Sequence, residues 1–273
     1  MSFSSHDFAA RYGAWALIAG ASEGIGRAFA RELAARGLNV VLVARRAELL
    51  ETLAAELRRE HGVKVAVAPV DLADADVVDR IREATGDIEV GLVVYNACYS
   101  RIGEFLETDL QSKLLTLDVN CRGPLRLLDA YLPSMAARGR GGVVIMSSMA
   151  GFQGGAMVPT YAASKAFDTV LGESLWAELG PKGVEVLVCV AGATSTPGFE
   201  AQTPAHRRKS ALPGSPEQVA RDAIRWLPER GRGPTMVSGK VNKIASFLFT
   251  RVLSRGAASR LFSRSTRSIY EGT

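Results

Sequence analysis

Seven short runs of β-branched and apolar residues punctuate the chain: AWALIAG, NVVLVAR, KVAVAPVD, GLVVYNA, GGVVIMSS, VEVLVCVAG and PTMVSG. Each reads as a strand buried on both faces, because polar residues do not alternate with apolar ones. Between them lie stretches such as GRAFARELAARG and AELLETLAAELRREHG, which repeat apolar residues at helical spacing. Alternating strand and helix predicts a parallel sheet of about seven strands with helices on both sides. Right-handed crossovers favour the doubly wound order. No Pro/Gly/Ser linker divides the chain, so one domain is expected over residues 1–239. A basic, helical C-terminal extension follows over 240–273.

The first strand runs into GASEGIG. Gly20, Gly24 and Gly26 stand at a strand-to-helix turn, where a backbone without Cβ atoms turns tightly and approaches a pyrophosphate. The N–H groups of the next helix then meet that anion. The loop Gly20, Ser22, Glu23, Gly24, Ile25, Gly26 is therefore a candidate dinucleotide site. GASEG also satisfies GxSxG, the nucleophile elbow of serine hydrolases, which makes Ser22 a rival nucleophile. That reading needs a downstream histidine held by an acid. The only late one, His206, sits in the basic loop PAHRRKS. The second strand ends VVLVARR. Ala44 stands where an NAD site usually carries an acid for the ribose 2′-hydroxyl. Arg45 and Arg46 follow and suit a 2′-phosphate, so NADP(H) is expected over NAD(H).

A third motif is YAASK, residues 161–165, inside the helical stretch TYAASKAFDTVLGESLWAEL. Four residues are one helical turn, so Tyr161 and Lys165 share a face. A tyrosine with a pKa of about 10 is a poor acid–base group at neutral pH, and bringing it near 7 takes about 4 kcal/mol. A lysine charge about 5 Å away supplies roughly 3 kcal/mol at an effective dielectric of about 20. The pair suits general acid–base work on a carbonyl. The small residues Ala162, Ala163 and Ser164 let the helix lie close to its ligands.

With GASEGIG, VDL at 70–72, YNA at 95–97, Asn120, SS at 147–148 and YAASK in this order, the chain resembles the short-chain dehydrogenase/reductase family over about residues 13–240. Within it, YGAWALIAGASEGIGRAFARELAARGLNVVLVAR, residues 12–45, looks like the branch of 17β-hydroxysteroid dehydrogenases and very-long-chain 3-ketoacyl-CoA reductases. The resemblance implies a Rossmann-type fold and a ketoreductase of lipid metabolism. It implies Tyr161 as general acid, Lys165 as its activator and ribose anchor, Ser148 as the group orienting the carbonyl, and Asn120 as holder of a relay water. Ser148 is preferred to Ser147 because it lies thirteen residues before Tyr161, the family's interval. Asp71 and Leu72 would flank the adenine. Asn96 and Ala97 would line the cofactor cleft, with Gly192, Thr194 and Thr196 near the nicotinamide. Three departures stand out: Ala19 for a usual Thr, YNAC for NNAG, and VAGATST for a Pro-Gly turn. A catalytically silent NADP(H) sensor or scaffold is the alternative. It would not need Asn120, Ser148, Tyr161 and Lys165 together.

Composition narrows the partners. The formal charge of +5 is uneven: residues 240–273 hold seven Lys/Arg against one Glu, and the rest carries 26 basic against 27 acidic residues. The high pI belongs to the extension and gives no reason to expect nucleic-acid binding. Three scattered cysteines and three scattered histidines predict no metal site and suit a reducing cytoplasm. No apolar run reaches the ~18 residues that span a bilayer. The start, MSFSSHDFAARYGAW, lacks the features of a signal peptide. Wound as a helix, the extension puts Val241, Ile244, Ala245, Leu248, Phe249 and Val252 on one side and Lys240, Lys243, Arg251 and Ser254 on the other. That pattern suits either peripheral membrane contact through 240–270 or packing that roofs the substrate cleft. A homodimer or homotetramer is expected from the resemblance. The segment ATSTPGFEAQTPAHRRKSALPG is where a substrate lid is expected. His206 to Lys209 there suit either a CoA phosphate or plain solvation.

Overall fold

The computed structural model describes residues 5–86, 88–227 and 232–270. Residues 1–4 of the N-terminal stretch, Asp87 and 228–231 of the main domain, and 271–273 of the extension lie outside the described residues. All seven expected strands form: β1 (Trp15–Ala19), β2 (Asn39–Ala44), β3 (Val65–Pro69), β4 (Val90–Tyr95), β5 (Gly141–Ser148), β6 (Val184–Ala191) and β7 (Thr235–Val237). They make one parallel sheet in the order β3-β2-β1-β4-β5-β6-β7. Chain order reverses between β1 and β4, which opens a crevice at the carboxyl ends of these strands.

Burial follows the pleat. Ala16 and Ile18 of β1 join a core with α2 (Gly24–Ala34), α3 (Ala47–His61) and α9 (Pro216–Trp226). Their neighbours Leu17 and Ala19 join a second core with α4 (Val77–Thr85), α6 (Gly123–Ala137) and α7 (Pro159–Leu179). Strands at the middle of the sheet are buried throughout, whereas β3 and β7 at its edges are partly exposed. The short α1 (Ser5–Tyr12) is tied on by Tyr12, whose hydroxyl donates to Glu185 of β6.

Two departures from regular helix matter for the site. Between α5 (Leu110–Leu117) and α6, residues Asp118–Arg122 form a π-helical turn that carries Asn120. Tyr95, at the end of β4, donates its hydroxyl to the Val119 carbonyl in this turn at 2.5 Å. This accounts for the tyrosine of YNAC: its ring is buried and its phenol satisfies a carbonyl freed by the altered turn. A Cβ on Gly123 would lie 2.0 Å from that phenol oxygen, so the next helix begins on a glycine.

The second π turn, Leu248–Val252, joins α10 (Lys240–Phe247) towards α11 (Arg255–Tyr270). It breaks the 3.6-residue period from Leu248 on, while within the regular α10 the apolar side read from the sequence is divided by what the helix packs on. Ala245 and Phe249 pack inward on Met149, Val188 and Val190. Val241, Ile244, Phe247, Leu248 and Val252 face outward.

Candidate active site

A cavity of about 840 Å³ opens at the carboxyl ends of the strands. Every residue singled out in the sequence as catalytic or cofactor-binding lines it, except Gly26 and Asn120. One end is the glycine loop. Gly20 (φ +84°) and Gly24 (φ +55°) adopt left-handed backbone that other residues rarely hold. A Cβ on Gly20 would lie 2.7 Å from the Cα of Ala97, and one on Gly26 would lie 1.9 Å from the Gly20 carbonyl oxygen. Gly26 is thus a packing glycine behind the loop. The Asn96 amide donates to that same carbonyl at 3.0 Å and holds the loop against the end of β4. Glu23 occupies the N-cap of α2 without a side-chain cap, so the first N–H groups of the helix are left for an anion. The set fits a dinucleotide phosphate.

Beyond the loop, Arg46 reaches Glu23 at 2.7 Å and donates to Ser22 Oγ at 3.1 Å. Arg45 lies 3.6 Å from Asp71. Asp71 Oδ1 accepts from the Ala73 N–H, and Leu72 is buried beside it. Ser22 therefore faces a guanidinium, and none of the described histidines lines the cavity. Nothing there activates Ser22 as a nucleophile.

The centre of the cavity is where α7 crosses the end of β5. Ser148 closes β5 and Tyr161 stands in the first turn of α7, and both line the cavity. Ser147 turns the other way, bonding the Lys165 carbonyl and Thr169 at 2.8 Å. The strand's alternation sends one serine to the cavity and the other into the packing. Lys165 is 4% exposed and donates to the Met146 carbonyl at 2.8 Å and to Asp168 Oδ2 at 2.9 Å. Asn120 is buried behind them. Its amide donates to the Tyr99 carbonyl at 2.9 Å and to Ser164 Oγ at 3.0 Å, and its Oδ1 accepts from the Tyr99 N–H at 2.8 Å. Its side chain sews the π turn, the loop after β4 and α7 together.

Charges in the centre differ from the simple expectation. Enclosure by protein pushes the Tyr161 phenol up to about 12, against the opposing pull of Lys165 and the Ser148 hydroxyl. Burial is the largest single influence on Lys165 and works to lower it, but Asp168, Cys98 and Tyr161 together more than offset it and favour the ammonium form. From the sequence, Lys165 counts as an unshared charge. In the structure it shares that charge with Asp168, three residues on along the same face. The spacing is visible in the sequence, but a helix carboxylate normally reads as solvated.

The far end of the cavity holds uncharged side chains. Tyr99, Ser100, Ile102, Val158, Phe199 and Gln202 form its walls. The C-terminal extension supplies a roof of Phe249, Leu261, Phe262, Ile269 and Tyr270. Leu261, Phe262, Ser265, Thr266 and Ile269 recur at helical spacing, a sequence signal that lies beyond the first half of the extension, where the apolar side was drawn. Phe262 lies on Gly155, where a Cβ would meet its ring at 2.4 Å. Ser263 accepts from the Ala156 N–H at 3.0 Å, and Thr266 donates to the Ala156 carbonyl at 2.9 Å. Arg267 pairs with Glu104 at 3.2 Å.

Three other expected features find their places. Thr194 bonds the Gly192 carbonyl at 3.1 Å, and Thr196 caps α8 (Pro197–Gln202) by accepting from Phe199 N–H at 3.2 Å. His206 to Lys209 fall in a 3₁₀ turn outside the cavity wall. Arg208 there is spent on the Glu200 and Thr203 carbonyls at 2.6 and 3.1 Å. Among the described residues no cluster suits a metal ion, and no helix is long and apolar enough to cross a membrane.

Comparison with known proteins gives the same picture. The family model for short chain dehydrogenase matches residues 14–207. A 7β-hydroxysteroid dehydrogenase of Clostridium sardiniense is 34% identical over 237 residues, covering 87% of this chain and 90% of that protein. A very-long-chain 3-oxoacyl-CoA reductase of Anas platyrhynchos is 32% identical, covering 73% and 68%. A solved 7β-hydroxysteroid dehydrogenase superposes with a TM-score of 0.86 at 30% identity, over 93% of this chain and 98% of that one. Solved neighbours bind either nicotinamide dinucleotide. A Sphingobium yanoikuyae short-chain dehydrogenase in complex with NADPH has a TM-score of 0.74 at 26% identity, over 88% and 96%. A Brucella melitensis 3-oxoacyl-[acyl-carrier protein] reductase with bound NAD has 0.71 at 28%, over 82% and 94%.

Proposed function

The chain belongs to the short-chain dehydrogenase family, and on that premise we propose that it is an NADP(H)-dependent oxidoreductase interconverting a ketone and a secondary alcohol on a steroid-like substrate. One observation carries this reading. Ser148, Tyr161 and Lys165 line one cavity, whose charged end suits a dinucleotide and whose other end is uncharged and aromatic. When bound, the nicotinamide supplies or accepts the hydride at the substrate carbon. Ser148 donates a hydrogen bond to the substrate oxygen, where negative charge grows. Tyr161 gives that oxygen its proton, and takes it back in the reverse direction. Lys165 supports the phenolate left behind. Asn120 fixes the backbone at the π turn beside them.

The uncharged far end favours a rigid lipid ketone over a substrate that docks a phosphate, since the basic residues 206–209 lie off the cavity wall. The 7β-hydroxysteroid dehydrogenases among its relatives support the same choice. Residues 1–239 form the binding and catalytic unit, and 240–273 complete its substrate end. The test is a panel of steroid ketones and 3-oxoacyl thioesters with NADPH. Turnover is expected on a steroid ketone. NADPH binding with no turnover on any carbonyl would instead leave a cofactor-binding sensor.

Arg45 and Arg46 support the choice of NADP(H). Their side chains stand at the mouth, each beside a carboxylate that a 2′-phosphate would displace. A charge-assisted contact to phosphate contributes about 1.5–3 kcal/mol, or about tenfold to hundredfold in affinity. Ala44→Asp with Arg45→Ala is expected to move the ratio of kcat/KM values towards NADH by at least tenfold. A wild-type protein that prefers NADH would end this assignment.

Two surfaces support the remaining partners. Leu110, Leu114, Leu125, Val170 and Trp176 leave apolar side chains exposed on α5, α6 and α7, a face suited to a second copy of the chain. On α10, Val241, Ile244 and Phe247 are each more than 60% exposed beside Lys240 and Lys243. That combination suits weak attachment to an anionic lipid surface, to which each basic residue contributes about 1 kcal/mol. Full-length protein is expected to co-float with vesicles containing phosphatidylserine at low salt and to be released by salt. Ile244→Glu with Phe247→Glu should abolish flotation while leaving the fold intact. Flotation that survives this pair of changes would place the contact elsewhere.

A further inference from the structure

Asp168 is an unusual residue to find where it is. It sits on the inner face of α7 at 1% exposure. Only one of its carboxylate oxygens is engaged, by Lys165 at 2.9 Å, while Oδ1 is buried without a hydrogen-bond partner. A buried, half-satisfied carboxylate is costly, and a helix core offers many cheaper residues. The groups around it come from three elements: Lys165 from its own helix, Tyr95 and Cys98 from β4 and the loop after it, and Cys121 from the π turn. Of these, Lys165 alone carries a charge at neutral pH. Tyr161 is faced by Lys165, Ser148, Cys98 and Tyr270. Lys165 is thus the charged group that faces Tyr161, and Asp168 is the partner of that charge.

We propose that Asp168 is a positioning residue that aims Lys165 between the Met146 carbonyl and the cavity, and that damps the pull of this ammonium on the Tyr161 phenol. This rests on Tyr161 being the proton donor. Lys165 without a partner would draw Tyr161 strongly towards phenolate, leaving less of the protonated form that ketone reduction needs. With Asp168 behind it, Lys165 presents a weaker field. Burial is what chiefly raises the phenol above its ordinary range, and a weaker Lys165 field opposes it less.

The test is Asp168→Asn, which keeps the shape and removes the charge. In the cofactor-free protein, the phenol of Tyr161 is followed by NMR of tyrosine labelled with ¹³C at Cζ, with Tyr161→Phe to assign the signal. Its titration is expected to move down by about one pH unit, a tenfold larger phenolate share at pH 10. In the loaded enzyme, the alkaline fall of ketone reduction and the alkaline rise of alcohol oxidation should move down by the same amount. Asp168→Glu restores a carboxylate and should move both back towards wild type. If Asp168→Asn does not fold, Asp168→Ser serves as the neutral variant, and added formate should shift its profile back. A folded neutral variant with an unmoved or upward-shifted Tyr161 titration overturns the role of Asp168 and leaves Tyr161 as proton donor untouched. Full turnover by Tyr161→Phe would remove the donor itself, an outcome separable from the first.

Discussion

Phenylalanine at position 161 is expected to lower turnover by about 10²–10⁴ while NADPH binds almost as before. The change deletes one oxygen and keeps the ring, so the wall of the cavity stays in place. What is lost is the proton that must reach the substrate oxygen as the ketone is reduced. Ser148 still donates a hydrogen bond to that oxygen, which stabilises charge without neutralising it. Water is a poor replacement because it is a far weaker acid than a phenol and is not held in place by the helix. The measurement is steady-state turnover on the best ketone, with cofactor affinity taken separately by fluorescence. Unchanged kcat in the variant would move the acid role to another group, and the assignment of Tyr161 would fail.

A second large effect is expected when the chain is stopped after Ser254. This removes α11 and with it Leu261, Phe262, Ile269 and Tyr270 from the cavity wall. Fully burying one such side chain contributes about 1.5–3 kcal/mol. Losing even two partial contacts with substrate amounts to about 3 kcal/mol, or roughly a hundredfold in kcat/KM. The glycine loop and the two arginines lie at the opposite end, so cofactor affinity should hold within a few-fold. The two ends of the cavity are thereby read out independently. A truncated protein that keeps its kcat/KM would mean that α11 covers the cavity without touching substrate. Stopping the chain earlier, after Gly239, also uncovers Met149, Val188 and Val190 and should lower the melting temperature as well.

The sheet was readable because strands buried on both faces write themselves as unbroken β-branched runs, and all seven runs became strands. The cofactor end was readable for a related reason. A backbone that turns at φ +84° and lets another backbone pass within contact requires glycine, and glycine is visible in a sequence. Ser148, Tyr161 and Lys165 were legible through spacing, since the strand's alternation and the helix's turn do the placing. The roof was less so. Which side of α10 faces inward is set by what it packs on, and an apolar pattern does not tell Ala245, which packs inward, from Val241 and Ile244, which face out. The π turn at Leu248–Val252 then shifts the phase towards α11, and no residue type announces an i→i+5 turn. Asp168 escaped because sequence patterns place carboxylates in water by default. Its burial is a tertiary fact, set by what the π turn and β4 bring against α7.

The close approach of Tyr95 and Gly123 constrains the order in which these two positions can change. A methyl at position 123 collides with the phenol oxygen at 2.0 Å but would stand 3.1 Å from the ring carbon that bears it. Alanine there is unacceptable while residue 95 is tyrosine; once residue 95 is phenylalanine the nearest approaches are 3.1 Å, to the ring carbon and to the Leu72 carbonyl oxygen, which a shift of a few tenths of an ångström relieves. The reverse order is open, at the cost of the hydrogen bond to Val119. A single-site scan would record position 123 as intolerant and position 95 as moderately sensitive. It would miss that the intolerance at 123 depends on which side chain stands at 95. The path into other sequences at this turn therefore runs through residue 95 first.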